Sequence, residues 1–119
     1  MVKNNSIKIY HNPRCRKSRQ TLDLIHKKNI DVEIIEYLKN PISKTELNKL
    51  VKYLGIMPID LVRKEESLWK EKYKNKILSS ENILRIMVEN PKLIQRPIVV
   101  KNEKAVLGRP PELVLELIS

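Results

Sequence analysis

This 119-residue chain has one cysteine, two glycines and no phenylalanine, and aromatic residues make up only 4% of it. A single cysteine excludes a disulfide framework within the chain and any cysteine-rich zinc site, so no bound metal is expected. The scarcity of aromatics argues against a base-stacking platform for single strands, so nucleic acid is not the expected partner. Apolar runs are only a few residues long, far short of the roughly 20 needed to span a membrane. The opening segment MVKNNSIKIY lacks the apolar core of a signal peptide. Together these absences predict a soluble, cytoplasmic protein whose thiol stays free in a reducing compartment.

Positive charge is abundant. There are 24 Lys and Arg against 14 Asp and Glu, a net charge of +10. Residues 1–30 carry +7 of this, residues 31–60 carry −1, and residues 61–119 carry +4. The positive field is therefore densest around the one cysteine, Cys15. Such a field suits acidic proteins, nucleic acid or small anionic substrates. The length, with 41% hydrophobic residues, fits one domain spanning residues 1–119. A chain of this size buries roughly two-thirds of its unfolded surface and needs neither metal nor disulfide for a core.

Element order follows from periodicity and punctuation. Ser6–Tyr10 alternates polar and apolar residues and reads as a strand that His11-Asn12-Pro13 breaks. Arg16–Asn29 reads as a helix and Asp31–Tyr37 as a second strand, together a βαβ unit. Pro41 opens a helical insertion over about residues 41–90. In it, Ser43 and Glu46 form a capping box, and Leu47, Leu50, Val51 and Leu54 an apolar stripe ended by Gly55. Pro58 starts a short helix to about Arg63, residues 65–77 read as a solvated helix or loop, and Ser80 caps a helix over Glu81–Glu89. Pro97–Val100 and Ala105–Leu107 read as a hairpin joined by Lys101–Lys104. A last helix covers Glu112–Ile118. The expected fold class is α/β, with a four-stranded mixed sheet flanked by helices.

The chemistry centres on Cys15, at the handover from the first strand to the first helix. A thiolate there meets unpaired backbone amides and the helix dipole, both of which lower its pKa. Arg14, Arg16, Lys17 and Arg19 add charge nearby, and His11 can take a proton or donate a hydrogen bond. The alternative is a buried, inert cysteine. Spacing excludes a phosphatase loop, because the position six after the cysteine is Thr21. The residue at the second position of a C-x-x-C motif is Ser18, whose hydroxyl can reach the sulfur but cannot resolve a disulfide. Any redox cycle must borrow its second thiol. Arg63, Arg96 and Arg109 are candidates for an oxyanion site, the last two held in X-Pro contexts, although a solvated arginine is the commoner case. His26 reads as a helix-end cation, and Trp69 with Tyr73 as core cover.

The segment Ile9–Leu22, containing His11-Asn12-Pro13-Arg14-Cys15-Arg16-Lys17-Ser18-Arg19, resembles the active-site segment of glutaredoxin-coupled arsenate reductases. Leu61-Val62-Arg63-Lys64, Gln95–Val100 and Gly108-Arg109-Pro110-Pro111-Glu112 resemble further blocks of that family, in its order and across nearly the whole chain. The resemblance implies a thioredoxin-like fold, βαβ, helical insertion, ββα. It implies that Cys15 attacks arsenate, with His11 assisting thiolate formation and Arg63, Arg96 and Arg109 holding the oxyanion. Asn12, Ser18, Arg19 and Pro97 would support the site, with Pro97 at the superfamily's cis-proline position. It also implies that no cofactor is bound, that glutathione attacks the adduct, and that glutaredoxin reduces the mixed disulfide. Arg16-Lys17 replaces the small residues that better-known arsenate reductases carry after the cysteine, a feature expected to lower the thiol pKa further. The chain resembles a compact, arsenate-reductase-like sub-branch. The superfamily leaves two other readings, a transcriptional regulator that binds RNA polymerase and a thiol oxidoreductase acting on another substrate.

Overall fold

A computed structural model describes residues 7–118. It divides the chain into two compact units, one made of the residues up to 40 and from 96 onward, the other of residues 41–95.

The first unit is built on a four-stranded sheet in the order β2-β1-β3-β4. Its strands are β1 (Ile7–His11), β2 (Val32–Glu36), β3 (Ile98–Lys101) and β4 (Lys104–Leu107). β1 pairs parallel to β2 and antiparallel to β3, and β3 pairs antiparallel to β4, so the sheet is mixed. Ser6, the expected first strand residue, lies outside the described residues. At the other end the strand runs one residue further than expected, because His11 stays in register with Glu36. Alternation then sorts the side chains. Ile7, Ile9 and Val99 share one sheet face with Ile25 of α1 (Arg16–Lys27) and with Val114 and Ile118 of the chain's last helix (Val114–Ile118). Burial of these side chains is the main favourable term holding α1 to the sheet.

Helix ends follow local chemistry. α1 stops at Lys27, two residues before the expected end, and Asn29 takes a left-handed φ of 57° that a helix cannot continue. The expected last helix splits into a 3-10 turn, Pro111–Leu113, and the α-helix from Val114. The hairpin register pairs Lys101 with Lys104, leaving Asn102 and Glu103 as the turn, with φ 59° at Asn102. Asparagine tolerates that conformation better than most side chains.

The second unit is helical. α2 (Lys44–Leu54) begins at Ser43, whose hydroxyl accepts from Glu46 N at 3.1 Å, and ends at Gly55 with φ 70°. A 3-10 turn (Pro58–Leu61), α3 (Ser67–Lys72) and α4 (Ser80–Glu89) follow, which makes the helix from Val114 α5. The expected cap of α4 is corrected by one residue. Ser79, not Ser80, has the extended backbone of an N-cap and accepts from Asn82 N. The chain at Leu61–Arg63 pairs with Leu93–Gln95 through Arg63 N to Leu93 O at 2.7 Å and Gln95 N to Leu61 O at 2.9 Å. Trp69 is buried, so α3 is less solvated than its charge suggests.

One glycine marks a tight approach. A Cβ on Gly108 would meet Thr21 Oγ1 and lie 2.8 Å from Pro97 Cγ. Gly108→Ala is therefore expected to destabilise the protein by about 1–3 kcal/mol through overpacking. Chemical denaturation checks this, since an unchanged midpoint would show that α1 and Pro97 move apart freely.

Candidate active site

The turn that delivers the cysteine is written in Asn12-Pro13-Arg14. Cys15 N donates to Asn12 O at 2.9 Å, closing a four-residue turn with proline at its second position. Asn12 Oδ1 accepts from Arg14 N at 3.0 Å, the side chain standing in for a backbone turn. Cys15 then sits as the N-cap of α1, extended at φ −94° and ψ 124°, without a side-chain cap hydrogen bond. The thiol is half-buried. Burial, the largest influence, pushes its pKa up. The Ser18 amide, the Arg96 guanidinium as hydrogen-bond donor and as charge, and the Lys17 amide together outweigh burial, and the thiol is more acidic than usual.

This redistributes the expected roles. Arg16 and Lys17 were expected to acidify the thiol by charge, but their side chains are exposed, and neither charge acts detectably on the sulfur. Lys17 acts through its backbone N–H. The cation that matters is Arg96, 81 residues away in sequence and brought to the sulfur by the approach to β3. The Arg96-Pro97 and Arg109-Pro110 peptide bonds are both cis. Arg109 donates to Arg96 O at 3.0 Å, and Gly108 N donates to Pro97 O at 3.0 Å, so the two arginine-proline segments brace each other.

Ser18 also acts differently than expected. Its hydroxyl, fully buried, pairs with His11 Nδ1 at 2.6 Å and accepts from Asn12 N at 3.0 Å, while its amide serves the sulfur. His11 is buried, and burial, with help from Arg19, lowers its pKa against the opposing pull of Glu36. The imidazole is thus mostly neutral near pH 7, and its Nδ1 is bonded to the Ser18 hydroxyl. Arg19 donates to Pro13 O at 2.9 Å and ties the turn to α1. Arg63 lies in the second unit. There its guanidinium pairs with Glu66 at 2.9 Å, lies 3.9 Å from Glu65 and donates to Lys92 O at 3.2 Å. Two residues that sequence reasoning missed position the rest: Gly108, and Thr21, which is fully buried and bonded to Lys17 O at 2.8 Å. A glycine directly before the X-Pro arginine Arg109 was the available signal. Among the described residues, no group of three or more His, Cys, Asp or Glu could hold a metal ion. No described helix is long and apolar enough to cross a membrane.

The ArsC family model matches residues 10–117, from the end of β1 to the last helix. The chain belongs to the ArsC family. It is 47% identical over 115 residues to uncharacterized protein YfgD of Escherichia coli K12, covering 95% of this chain and 97% of that protein. It is 42% identical over 115 residues to the arsenate reductase of Haemophilus influenzae, covering 95% of this chain and 99% of that one. The solved structure of an arsenate reductase from Vibrio cholerae superposes with a TM-score of 0.90 at 44% identity, covering 96% of this chain and 98% of that one. The mixed four-stranded sheet with its flanking helices is the thioredoxin-like fold.

The separate supports of the thiol can be told apart. Arg96→Gln is expected to raise the Cys15 pKa, because it removes a charge and its hydrogen bond, whereas Arg16→Gln should leave the value in place. Rates of iodoacetamide alkylation against pH measure both, and equal shifts in the two variants would refute the assignment. Ser18→Ala keeps the amide that faces the sulfur but strips the partner of His11 and Asn12. It should cost about 1–3 kcal/mol of stability, from the buried groups left unpaired, with little change in the thiol pKa.

Proposed function

We propose that this ArsC-family chain reduces arsenate to arsenite through a covalent adduct at Cys15, with glutathione and glutaredoxin as external reductants and no bound cofactor. The observation that carries this reading is the placement of a half-buried Cys15 at the N-terminus of α1, where the Ser18 and Lys17 amides and the Arg96 guanidinium lower its thiol pKa. The thiolate attacks arsenic, and one arsenate oxygen leaves as water, giving a Cys15 S–As(V) bond. A glutathione thiolate then attacks the Cys15 sulfur. The S–As bonding pair stays on arsenic, which departs as As(III), and a Cys15–glutathione disulfide remains. Glutaredoxin takes the glutathione by thiol–disulfide exchange and restores the thiol.

The surrounding residues support this scheme. Arg96 steadies the thiolate before attack and the oxyanion after it, and its buried Nε has no hydrogen-bond partner within the protein. Arg109, bonded to the Arg96 carbonyl, supplies a second guanidinium beside the same segment. Arg63 is proposed as a third oxyanion ligand, on the family resemblance, and engaging substrate would draw it from Glu66. Pro97, whose carbonyl accepts from Gly108 N, holds the Arg96 segment in place. His11 and Ser18, with Asn12 and Arg19, position the turn and the amides rather than carry charge. The arsenate reductase of Haemophilus influenzae, nearly equal in length, supports the substrate class. One free cysteine and a dependence on glutathione fit a cytoplasmic location.

The deciding experiment is steady-state arsenate reduction with glutathione and glutaredoxin. Turnover should require both thiol partners and vanish in Cys15→Ser, whose hydroxyl is un-ionised at neutral pH. Arg96→Gln should lose roughly 10- to 150-fold in kcat/KM, the equivalent of about 1.5–3 kcal/mol for a charge-assisted bond. Full activity in Cys15→Ser would refute the mechanism. A reactive, acidic Cys15 without arsenate turnover would point to another thiol-dependent substrate.

A further inference from the structure

The second unit contains a cavity of about 580 Å³ that the proposed arsenate chemistry does not use. Its apolar lining comes from Met57, Ile59, Trp69, Leu78 and Ile83, and its polar lining from Lys64, Lys70, Lys74, Lys76 and Ser80. Volume and lining fall within the range of small-molecule sites, which are mostly apolar with a few polar groups.

Its charge is one-sided. No lining residue is acidic, and none of the four lysines forms an ion pair among the described residues. Of the neighbouring carboxylates, Glu65 and Glu66 face Arg63, Glu81 pairs with Lys44, Asp60 caps Met57 N, and Glu71 does not line the cavity. The aromatic residues hold the arrangement in place. The Trp69 and Tyr73 rings meet at a 37° tilt with centroids 5.5 Å apart, and Lys76 Nζ lies 5.8 Å from the Tyr73 ring centre. A buried indole floor under four uncompensated ammonium groups complements a ligand with two matching parts.

We propose that this cavity binds an amphipathic organic anion, its apolar body against Trp69, Ile59, Leu78 and Ile83 and its anionic head among Lys64, Lys70, Lys74 and Lys76. An inorganic oxyanion lacks the apolar body, and a neutral lipid lacks the charge, so both bind more weakly.

Trp69 is the only tryptophan, so its indole N–H gives one cross-peak in an amide proton–nitrogen spectrum of the full chain. The probes are octanoate, 1-octanol and inorganic phosphate. Octanoate should shift this peak saturably, and octanol and phosphate should each bind at least about tenfold more weakly. The Lys64→Gln, Lys70→Gln, Lys74→Gln triple variant should weaken octanoate by a similar factor while keeping a dispersed, folded spectrum. Octanol binding as well as octanoate would overturn the proposal, and that comparison needs no variant. So would octanoate binding unchanged by the triple substitution, or no shift up to about 10 mM.

Discussion

A sulfur anion half out of water has to be stabilised, and the first unit is arranged to do so. Burial alone would keep Cys15 protonated and inert. Two N–H groups at the start of α1 and one guanidinium reverse that, and each needs its own support. The amides face the sulfur only if the helix begins at Arg16, which the Asn12-Pro13 turn and the Arg19 bond to Pro13 enforce. The guanidinium reaches it only if Arg96 is held beside the turn, which depends on Pro97, Gly108 and the close approach of Thr21. The core under α1 thus serves the chemistry, because Ile25 packed against Ile9 and Val99 fixes where the helix N-terminus lies.

Local signals made the larger part of this legible. Asn followed by Pro predicts a turn at its first two positions, so the placement of Cys15 at the head of a helix could be read from Asn12-Pro13-Arg14. The stripe Leu47, Leu50 and Val51 and the left-handed stop at Gly55 were likewise written in residue type and spacing. Long-range pairing was not. Charge counted along the chain pointed to Arg16 and Lys17, since nearness in sequence was the only distance available. In a folded chain those side chains turn to solvent, while Arg96 arrives on the approach to β3, the strand paired with β1. Ser79 and Ser80 were indistinguishable as caps by type, and only backbone conformation separates them.

Histidine shows the same divide between type and environment. Four residues before the cysteine in sequence, His11 suggests a proton acceptor. Placed in a strand, buried and bonded to Ser18, it favours the neutral form, and its orientation is fixed by that bond. The Ser18 hydroxyl occupies the place that a second thiol would take in a C-x-x-C motif, and it is bonded to His11 and Asn12. The serine thus holds the turn in shape and leaves the sulfur to its amide.

That substitution carries through to the electron count. Taking arsenic from As(V) to As(III) requires two electrons, and two thiols supply them by becoming one disulfide. A C-x-x-C pair could close that disulfide internally. This chain has one cysteine, and the neighbouring hydroxyl cannot be oxidised in its place. The second sulfur must come from solution, and the resulting disulfide must stay open to a third thiol. A half-buried Cys15 at a helix N-terminus meets both demands: it is buried enough for Arg96 and two amides to hold its charge, and exposed enough for an external thiol to reach it.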